Sequence, residues 1–155
     1  AFRNNEALEV LVATSLQTIE DGAFAWCTSL KAAELPKVTK VGQQAFLGCE
    51  SLTAVNIPSV EEIGEYAFGA CPNLERINMP SVRKIHSGAF MVAASLRKIY
   101  LGGNLSEVGE DAFAMDEKQF EFILDSNASY SQEVLDALGS YGVPILYEDF
   151  TQLEF

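Results

Sequence analysis

The sequence has few of the residues on which enzymatic and metal chemistry depends. Its 155 residues include one histidine and three cysteines, which leaves little material for a metal cluster or an activated nucleophile. It contains no G-x-G-x-x-G, P-loop or H-E-x-x-H motif. We therefore predict no catalytic residue, no metal site and no cofactor, and a protein that is not an enzyme.

Positive charge is also scarce. Ten lysines and arginines stand against 22 acidic residues, which gives a formal net charge of −12. Proteins that bind nucleic acid or anionic membranes electrostatically carry a basic footprint, so we expect neither partner. No apolar run approaches the roughly 18 residues of a membrane-spanning helix, and no signal peptide opens the sequence. We therefore expect no membrane insertion in this fragment.

Repetition is what the sequence has in abundance. Six Ala-Phe pairs follow one another at spacings of 22, 22, 22, 22 and 23 residues. Their aromatic members are Phe2, Phe24, Phe46, Phe68, Phe90 and Phe113. Leucine, β-branched, proline and cysteine positions share this period. A fixed period of roughly 20–50 residues is typical of solenoids, in which each unit must stack on its neighbours to bury a core.

Each unit predicts a short strand followed by a turn. In the third unit Val55 and Ile57 alternate with Ala54 and Asn56, which predicts an inward and an outward face. Pro58 then ends the strand, because proline has no N–H for the sheet. The later Ala-Phe-x-x-Cys segment is interpreted as a single helical turn. Stacked units place equivalent residues about 4.8 Å apart, so the phenylalanines are predicted to form a continuous internal column.

Glycines mark the turns of this unit. Gly42, Gly64 and Gly109 share one position, which predicts a turn with positive φ. The last unit has one additional residue, at Gly102-Gly103-Asn104, where an insertion in a glycine-rich turn is tolerated at low cost.

The two ends of the chain differ. Ala1 and Phe2 are already in phase with the later pairs, so we expect the chain to begin inside a repeat of a longer array. The repeat weakens after about residue 124. Beyond it, Ser129 and Gln132 have capping-box spacing, Gly139 is a plausible helix end, and residues 143–147 are predicted to form a final strand. We divide the chain into a solenoid of about five and a half units (1–124) and a C-terminal cap (125–155).

The segment from Leu52 to Asn73, LTAVNIPSVEEIGEYAFGACPN, resembles the BspA-type leucine-rich repeat. The resemblance implies an α/β repeat solenoid: a right-handed leucine-rich-repeat superhelix with a parallel sheet on one face and short helical turns opposite. To this we add the helix–strand cap. The resemblance also implies a bacterial or protist cell-surface or secreted protein that serves adhesion and protein binding. Host matrix or plasma proteins such as fibronectin and fibrinogen are the partners it suggests. Since framework residues define the family, no site residue is transferred.

The outward strand positions are the best candidate for a binding surface. Early units carry small or apolar residues there, whereas later units carry a cationic and aromatic group: Arg76, Asn78, Arg97, Lys98 and Tyr100. Tyrosine and arginine are enriched in protein-binding hot spots, so these residues are predicted to bind a protein partner. Ordinary solvated surface remains an alternative for them. Two other roles also remain open, namely a structural stalk or spacer and a carbohydrate-binding module.

Four other features have mainly structural interpretations. Cys27, Cys49 and Cys71 share one position, and neighbours about 4.8 Å apart are too distant for a disulfide, so we expect buried thiols. His86 is interpreted as a solvated turn residue. A series of alternating charge is predicted to support the register: Lys40, Glu62, Lys84 and Glu107. An apolar stripe either self-associates or packs within the turns: Trp26, Leu47, Met91, Val92 and Met115.

Overall fold

A computed structural model describes residues 2–154, in which two series of short strands alternate along the chain. The first series comprises β1 (Val10–Val12), β3 (Ala32–Glu34), β5 (Ala54–Asn56), β7 (Arg76–Met79), β9 (Lys98–Leu101) and β11 (Glu121–Asp125). The second series comprises β2 (Thr18–Ile19), β4 (Lys40–Val41), β6 (Glu62–Ile63), β8 (Lys84–Ile85) and β10 (Glu107–Val108). After them come helix α1 (Gln132–Gly139), strand β12 (Ile145–Glu148) and one turn of 3-10 helix (Phe150–Gln152).

All strand pairs are parallel and join equivalent positions of successive coils, where a coil is one turn of the solenoid. Ala32 lies opposite Ala54, for example, and Lys40 lies opposite Glu62. The parallel-sheet solenoid predicted from the repeat is thereby confirmed. The second series, which forms a narrow five-stranded sheet of its own, was not predicted, because two-residue strands are too short to show an alternating pattern.

The first series, which we call the sheet face, is interrupted at its centre. Its strands pair in two groups, β1-β3-β5 and β7-β9-β11-β12. Within residues 2–154, no hydrogen bond joins the backbones of β5 and β7. Val55, on β5, is accordingly only half-buried, whereas its counterparts Ala33 and Ile77 are 3% and 0% exposed. The sheet face therefore has an unpaired boundary at this point, which we call the β5–β7 cleft.

The core is a column of stacked phenylalanine rings, as the period predicts. Successive ring centroids from Phe2 to Phe113 lie 5.5, 5.4, 5.2, 5.3 and 5.3 Å apart, with interplanar angles of 2–11°. The four rings from Phe46 to Phe113 are completely buried. Offset stacking of this kind is favourable beyond the area it buries, so each coil is tied to the next through one ring.

The Ala-Phe-x-x-Cys segments are not helical turns, and this local prediction was wrong. In the second coil the N–H groups of Gln44 and Phe46 donate to carbonyls of the next coil, Glu65 and Ala67. The intervening Ala45 N–H closes a tight turn onto a carbonyl of its own coil. Left-handed residues lie within these turns at two positions per coil: Gly22, Gln44, Tyr66, Gly88 and Asp111, and then Asn4, Trp26, Gly48, Ala70 and Val92. A right-handed helical turn cannot include such residues.

Gly42, Gly64 and Gly109 do not adopt positive φ, contrary to the prediction. They are required instead by the close approach of two backbones. A β-carbon built on Gly42 would lie 2.7 Å from the Asp21 backbone nitrogen, and one on Gly64 would lie 2.6 Å from the Gly42 carbonyl carbon. These separations are shorter than any normal contact, so a side chain on Gly42 or Gly64 would force the two local backbones to move apart.

The cap closes the aromatic column. Beyond Phe113, the ring of Phe122 meets the column edge-on at 5.1 Å, and Tyr141 does so at 5.8 Å. The Phe113 N–H donates a hydrogen bond to the Tyr141 hydroxyl (3.2 Å). Val134 and Leu138 of α1 are buried beneath the helix. The predicted helix–strand cap is therefore present.

The ends of the cap elements differ slightly from the prediction. Ser131, rather than Ser129, caps α1, and its hydroxyl accepts from the Val134 N–H (3.2 Å). Gly139 is the last helical residue, and the chain reverses at Gly142, where φ is 66°. No helix within residues 2–154 has the length and apolar character needed to cross a bilayer.

Candidate interaction surface

Four of the five predicted binding residues lie side by side on two neighbouring strands of the sheet face. Arg76 of β7 lies opposite Lys98 of β9, and Asn78 lies opposite Tyr100. Arg76 Nε donates a hydrogen bond to Asn78 Oδ1 (3.0 Å). The Arg76 guanidinium carbon lies 4.5 Å from the centroid of the Tyr100 ring, a distance at which a cation is attracted to an aromatic face.

Tyr100 was predicted to be an exposed binding residue, and this prediction was wrong. Its side chain is buried beneath the C-terminal segment. Its side chain is 3% exposed, and the Phe150 ring centroid lies 6.0 Å from its own. Ile123 of β11, which lies opposite Tyr100, is also completely buried. After β12 the chain turns so that the Phe150 ring lies against Tyr100 of β9. The apolar residue Phe150 was the sequence signal for this contact.

The remaining cations stay at the surface. Arg97 and Lys98 are exposed, and Arg97 Nη1 donates to the Ala94 (3.0 Å) and Leu96 (3.2 Å) carbonyls. Two cavities of about 340 and 370 Å³ adjoin here and share these two residues. One cavity includes Arg76 and the other includes the exposed Lys118.

We call Arg76, Arg97, Lys98 and Lys118 the basic patch. Sequence reasoning missed Lys118, because it precedes β11 in an irregular segment. In the described part of the chain, none of these four side chains belongs to an ion pair. The patch therefore offers four cations without an ion-pair partner in residues 2–154 on a protein of net charge −12, although Glu75 and Glu121 line the same two cavities.

In the first three coils, apolar residues occupy the outward strand position that Arg76 and Lys98 hold in the later coils. Val10, Ala32 and Ala54 occupy equivalent positions on β1, β3 and β5. Val10 is 57% exposed, and Ala54 is exposed as well. These residues border a cavity of about 300 Å³ that lies across β1, β3 and β5 and reaches Asn78 of β7. We call the three residues the apolar strip.

The alternating charge series lies on the second sheet and forms ion pairs, as predicted. Lys40 Nζ lies 3.8 Å from a Glu62 carboxylate oxygen, and Lys84 Nζ lies 3.1 Å from Glu107. These groups are 35–62% exposed, and exposed pairs stabilise a fold by only about 0–1 kcal/mol. The series fits register support better than binding.

His86 is not the solvated turn residue that we predicted. Its side chain is 27% exposed, and Nε2 lies 2.7 Å from Glu62 Oε1 of the preceding coil. This hydrogen bond is the largest of the contributions that lower the pKa of Glu62. The position that holds glycine in other coils thus holds a side chain that ties two coils together.

The three cysteines are free and buried, in agreement with the prediction. Each thiol donates to the phenylalanine carbonyl of the preceding coil: Cys27 to Phe2 (3.1 Å), Cys49 to Phe24 (3.2 Å) and Cys71 to Phe46 (3.2 Å). Burial raises the pKa of Cys49 to about 12 and that of Cys71 further. Nucleophilic attack requires the thiolate, so these groups are chemically inert when folded.

The apolar stripe is divided between packing and exposure. Trp26 rests on Gly48 of the next coil, where any β-carbon would overlap the indole ring. Leu47 and Met115 are half-buried, whereas Val92 is 51% exposed. Among residues 2–154, no group of three histidine, cysteine or acidic side chains is placed to hold a metal ion.

Comparison with known proteins places this architecture in a family. The model of the BspA-type leucine-rich repeat region matches six copies over residues 1–126. A leucine-rich repeat protein from Bacteroides ovatus ATCC 8483 is similar in structure, with a TM-score of 0.70 and 22% identity over 92% of this chain and 43% of that one. A leucine-rich cell surface protein from Faecalibacterium prausnitzii A2-165 also has a TM-score of 0.70, with 23% identity over 83% of this chain and 34% of that one.

The chain thus spans less than half the length of either structural neighbour. No curated protein matches it. At these identities the two neighbours support the fold alone, whereas the family model covers most of the chain. The 22-residue period, the phenylalanine column and the six matched repeats together assign this chain to the BspA-type leucine-rich repeat family.

Proposed function

We propose that this protein is a non-enzymatic adhesion module that binds a protein partner through its sheet face. The observation that carries the proposal is the basic patch. It places four cations that form no ion pair in the described residues beside an open apolar strip on an otherwise acidic molecule. Arginine is enriched in protein-binding hot spots. The column of stacked rings makes the sheet face rigid, so binding would entail only a small loss of conformational entropy.

A location at the cell surface or in secretion is part of the proposal. One structural neighbour is a leucine-rich cell surface protein, and the family resemblance points the same way. Host matrix or plasma proteins such as fibronectin and fibrinogen are the partners we propose to test first.

The chemistry of the remaining candidates supports a non-enzymatic role. His86 is hydrogen-bonded to Glu62 rather than to a nucleophile, although a catalytic base must reach the group that it activates. The buried thiols have raised pKa values. Neither arrangement supplies an activated nucleophile.

The test is binding of the purified protein to immobilised fibronectin and fibrinogen, measured by surface plasmon resonance. The informative variant is Arg76→Ala/Arg97→Ala/Lys98→Ala, which we expect to weaken binding by roughly tenfold or more. Tyr100 is left intact, because its truncation would undercut the C-terminal segment.

Arg3→Ala/Lys37→Ala changes two exposed cations away from the patch and serves as the control. Undiminished binding by the triple variant would contradict the sheet-face site. Failure of the wild-type protein to bind either ligand would favour the spacer role, and binding to a glycan array would favour a carbohydrate-binding module.

A further inference from the structure

We infer that the sheet face takes an acidic segment of a protein chain that also carries an apolar side chain. The carboxylates lie on the basic patch, and the apolar side chain lies on the apolar strip. This inference rests on the proposed function and specifies the chemistry of its partner.

The geometry places the two surfaces in one line. Ala32, Ala54, Arg76 and Lys98 occupy the same position in four successive coils. Two of the three steps from Ala32 to Lys98 join paired strands about 4.8 Å apart, and the third crosses from β5 to β7, which are not paired with each other, so the two residues are at least about 14 Å apart. An extended chain advances about 3.4 Å per residue, so four or five residues cross from the apolar strip to the patch. A short segment is therefore long enough to contact both.

The charges select carboxylates on the partner. The exposed Arg97 and Lys98 belong to no ion pair in the described residues. Arginine presents a planar fork that binds carboxylates through two hydrogen bonds. Two adjoining cavities share these side chains, which gives room for carboxylates on both sides of Lys98.

Acidic side chains surround the patch and limit the size of its ligand. Glu75 lines the same cavity as Arg76, and Glu121 follows Lys98 in the outward column. Glu34 lies toward the first coil, in the neighbouring column, where it is hydrogen-bonded to Asn56. A long polyanion such as a sulfated glycan or a nucleic acid would extend beyond the patch onto these acids. A peptide with a few clustered carboxylates would not, so the structure favours a protein segment.

The test uses a fluorescein-labelled synthetic peptide with a block of Asp and Glu flanked by Leu, and fluorescence anisotropy with the whole protein. We expect the peptide to bind, and its affinity to fall as ionic strength rises. Arg97→Glu/Lys98→Glu should weaken binding by roughly tenfold or more. Arg3→Glu/Lys37→Glu makes the same change in net charge and should have less than about a twofold effect.

Two altered peptides test each half of the inference. Replacing the acids with Asn and Gln should abolish binding, and replacing Leu with Ser should weaken it several-fold. Circular dichroism of both protein variants should match the wild type, since all four positions are exposed.

Equal losses in the two charge-reversal variants, binding of the neutral peptide, or tight binding of heparin without the peptide would each overturn the inference. These failures are separable from failure of the proposed function. Suppose that the Arg76, Arg97 and Lys98 triple variant lost fibronectin or fibrinogen binding while the wild-type protein did not bind the peptide. The sheet-face site would then be supported, and the inference of an acidic segment would be contradicted.

Discussion

At the scale of single residues, equivalent positions have very different tolerance. The phenylalanine position is occupied by the same residue in all six coils, because each ring must contact the rings above and below. The cysteine position is less strict. Ala93 replaces the thiol and remains completely buried, so small size is the main requirement there.

Truncation of a central ring should be costly. We expect Phe68→Ala to lower the free energy of unfolding by about 3–5 kcal/mol, because it removes a buried ring and leaves a cavity in the column. Phe2→Ala is the matched control, since Phe2 is stacked on one side and 52% exposed. Urea unfolding should show a clearly smaller loss of unfolding free energy for Phe2→Ala than for Phe68→Ala. Equal losses would contradict the greater contribution that we assign to a ring buried and stacked on both sides.

Gly48 combines a backbone requirement with a packing requirement. Its φ is 71°, and a β-carbon there would overlap the Trp26 ring. Gly142 has a similar φ of 66° but nothing within 4 Å of its β-carbon position. We expect Gly142→Ala to cost about 1 kcal/mol and Gly48→Ala to cost more, as measured by thermal unfolding. Equal costs would show that Trp26 simply moves away.

Sequence reasoning is weakest for residues whose role depends on a distant part of the chain. Tyr100 was predicted to be exposed because alternation places it outward, and alternation contains no information about the later segment that covers it. His86 was predicted to be solvated because its position is a turn, yet its ring reaches Glu62 of the preceding coil. Both errors come from long-range contacts rather than from the local pattern.

At the scale of elements, the strands were predictable and the turns were not. Alternation marks the strands of the sheet face, since an inward side chain must be apolar whichever coil it belongs to. The turn segments repeat their apolar residues but not the residues at their left-handed positions, which include Gln44, Tyr66 and Val92. Hydrogen bonds to the next coil impose that conformation, so composition does not reveal it.

The β5–β7 cleft should be visible in backbone exchange. Strand β9 has hydrogen-bonded neighbours on both sides, whereas β5 and β7 have one each. We expect amides in β5 and β7 to exchange faster than those in β9 in hydrogen–deuterium exchange, because unpaired strand groups open at lower cost. Segments 53–57 and 75–79 are compared with 97–101. Equal protection in all three would mean that the ladder is continuous in solution.

At the scale of the whole molecule, the period determines how the coils stack. One dominant spacing of 22 residues predicts stacking, parallel pairing, the aromatic column and the buried thiols. It does not predict function, since the same framework leaves the outward residues free to vary. The basic patch was visible in the sequence as Arg76, Arg97 and Lys98, but Lys118 enters only through the fold.

The thiols should make the stability of the whole protein fall in alkali. Burial raises the pKa of Cys49 and Cys71 from 9.0, so above about pH 9 the unfolded chain loses protons that the folded chain keeps. The free energy of unfolding is unaffected below that pH and falls above it, by up to about 1.4 kcal/mol per pH unit for each thiol. Urea unfolding of Cys49→Ala/Cys71→Ala should show a shallower alkaline decline. Identical slopes would contradict the assignment.

The coils are joined in series, and each shares its strands and its ring with adjacent coils. Tension between the two ends would therefore not be distributed over the molecule, as it is in a sandwich whose terminal strands shear together. It would peel off one coil at a time. Each coil of 22 residues would release roughly 75 Å of extended chain, so a protein of this kind could lengthen stepwise under flow while its remaining coils stayed folded.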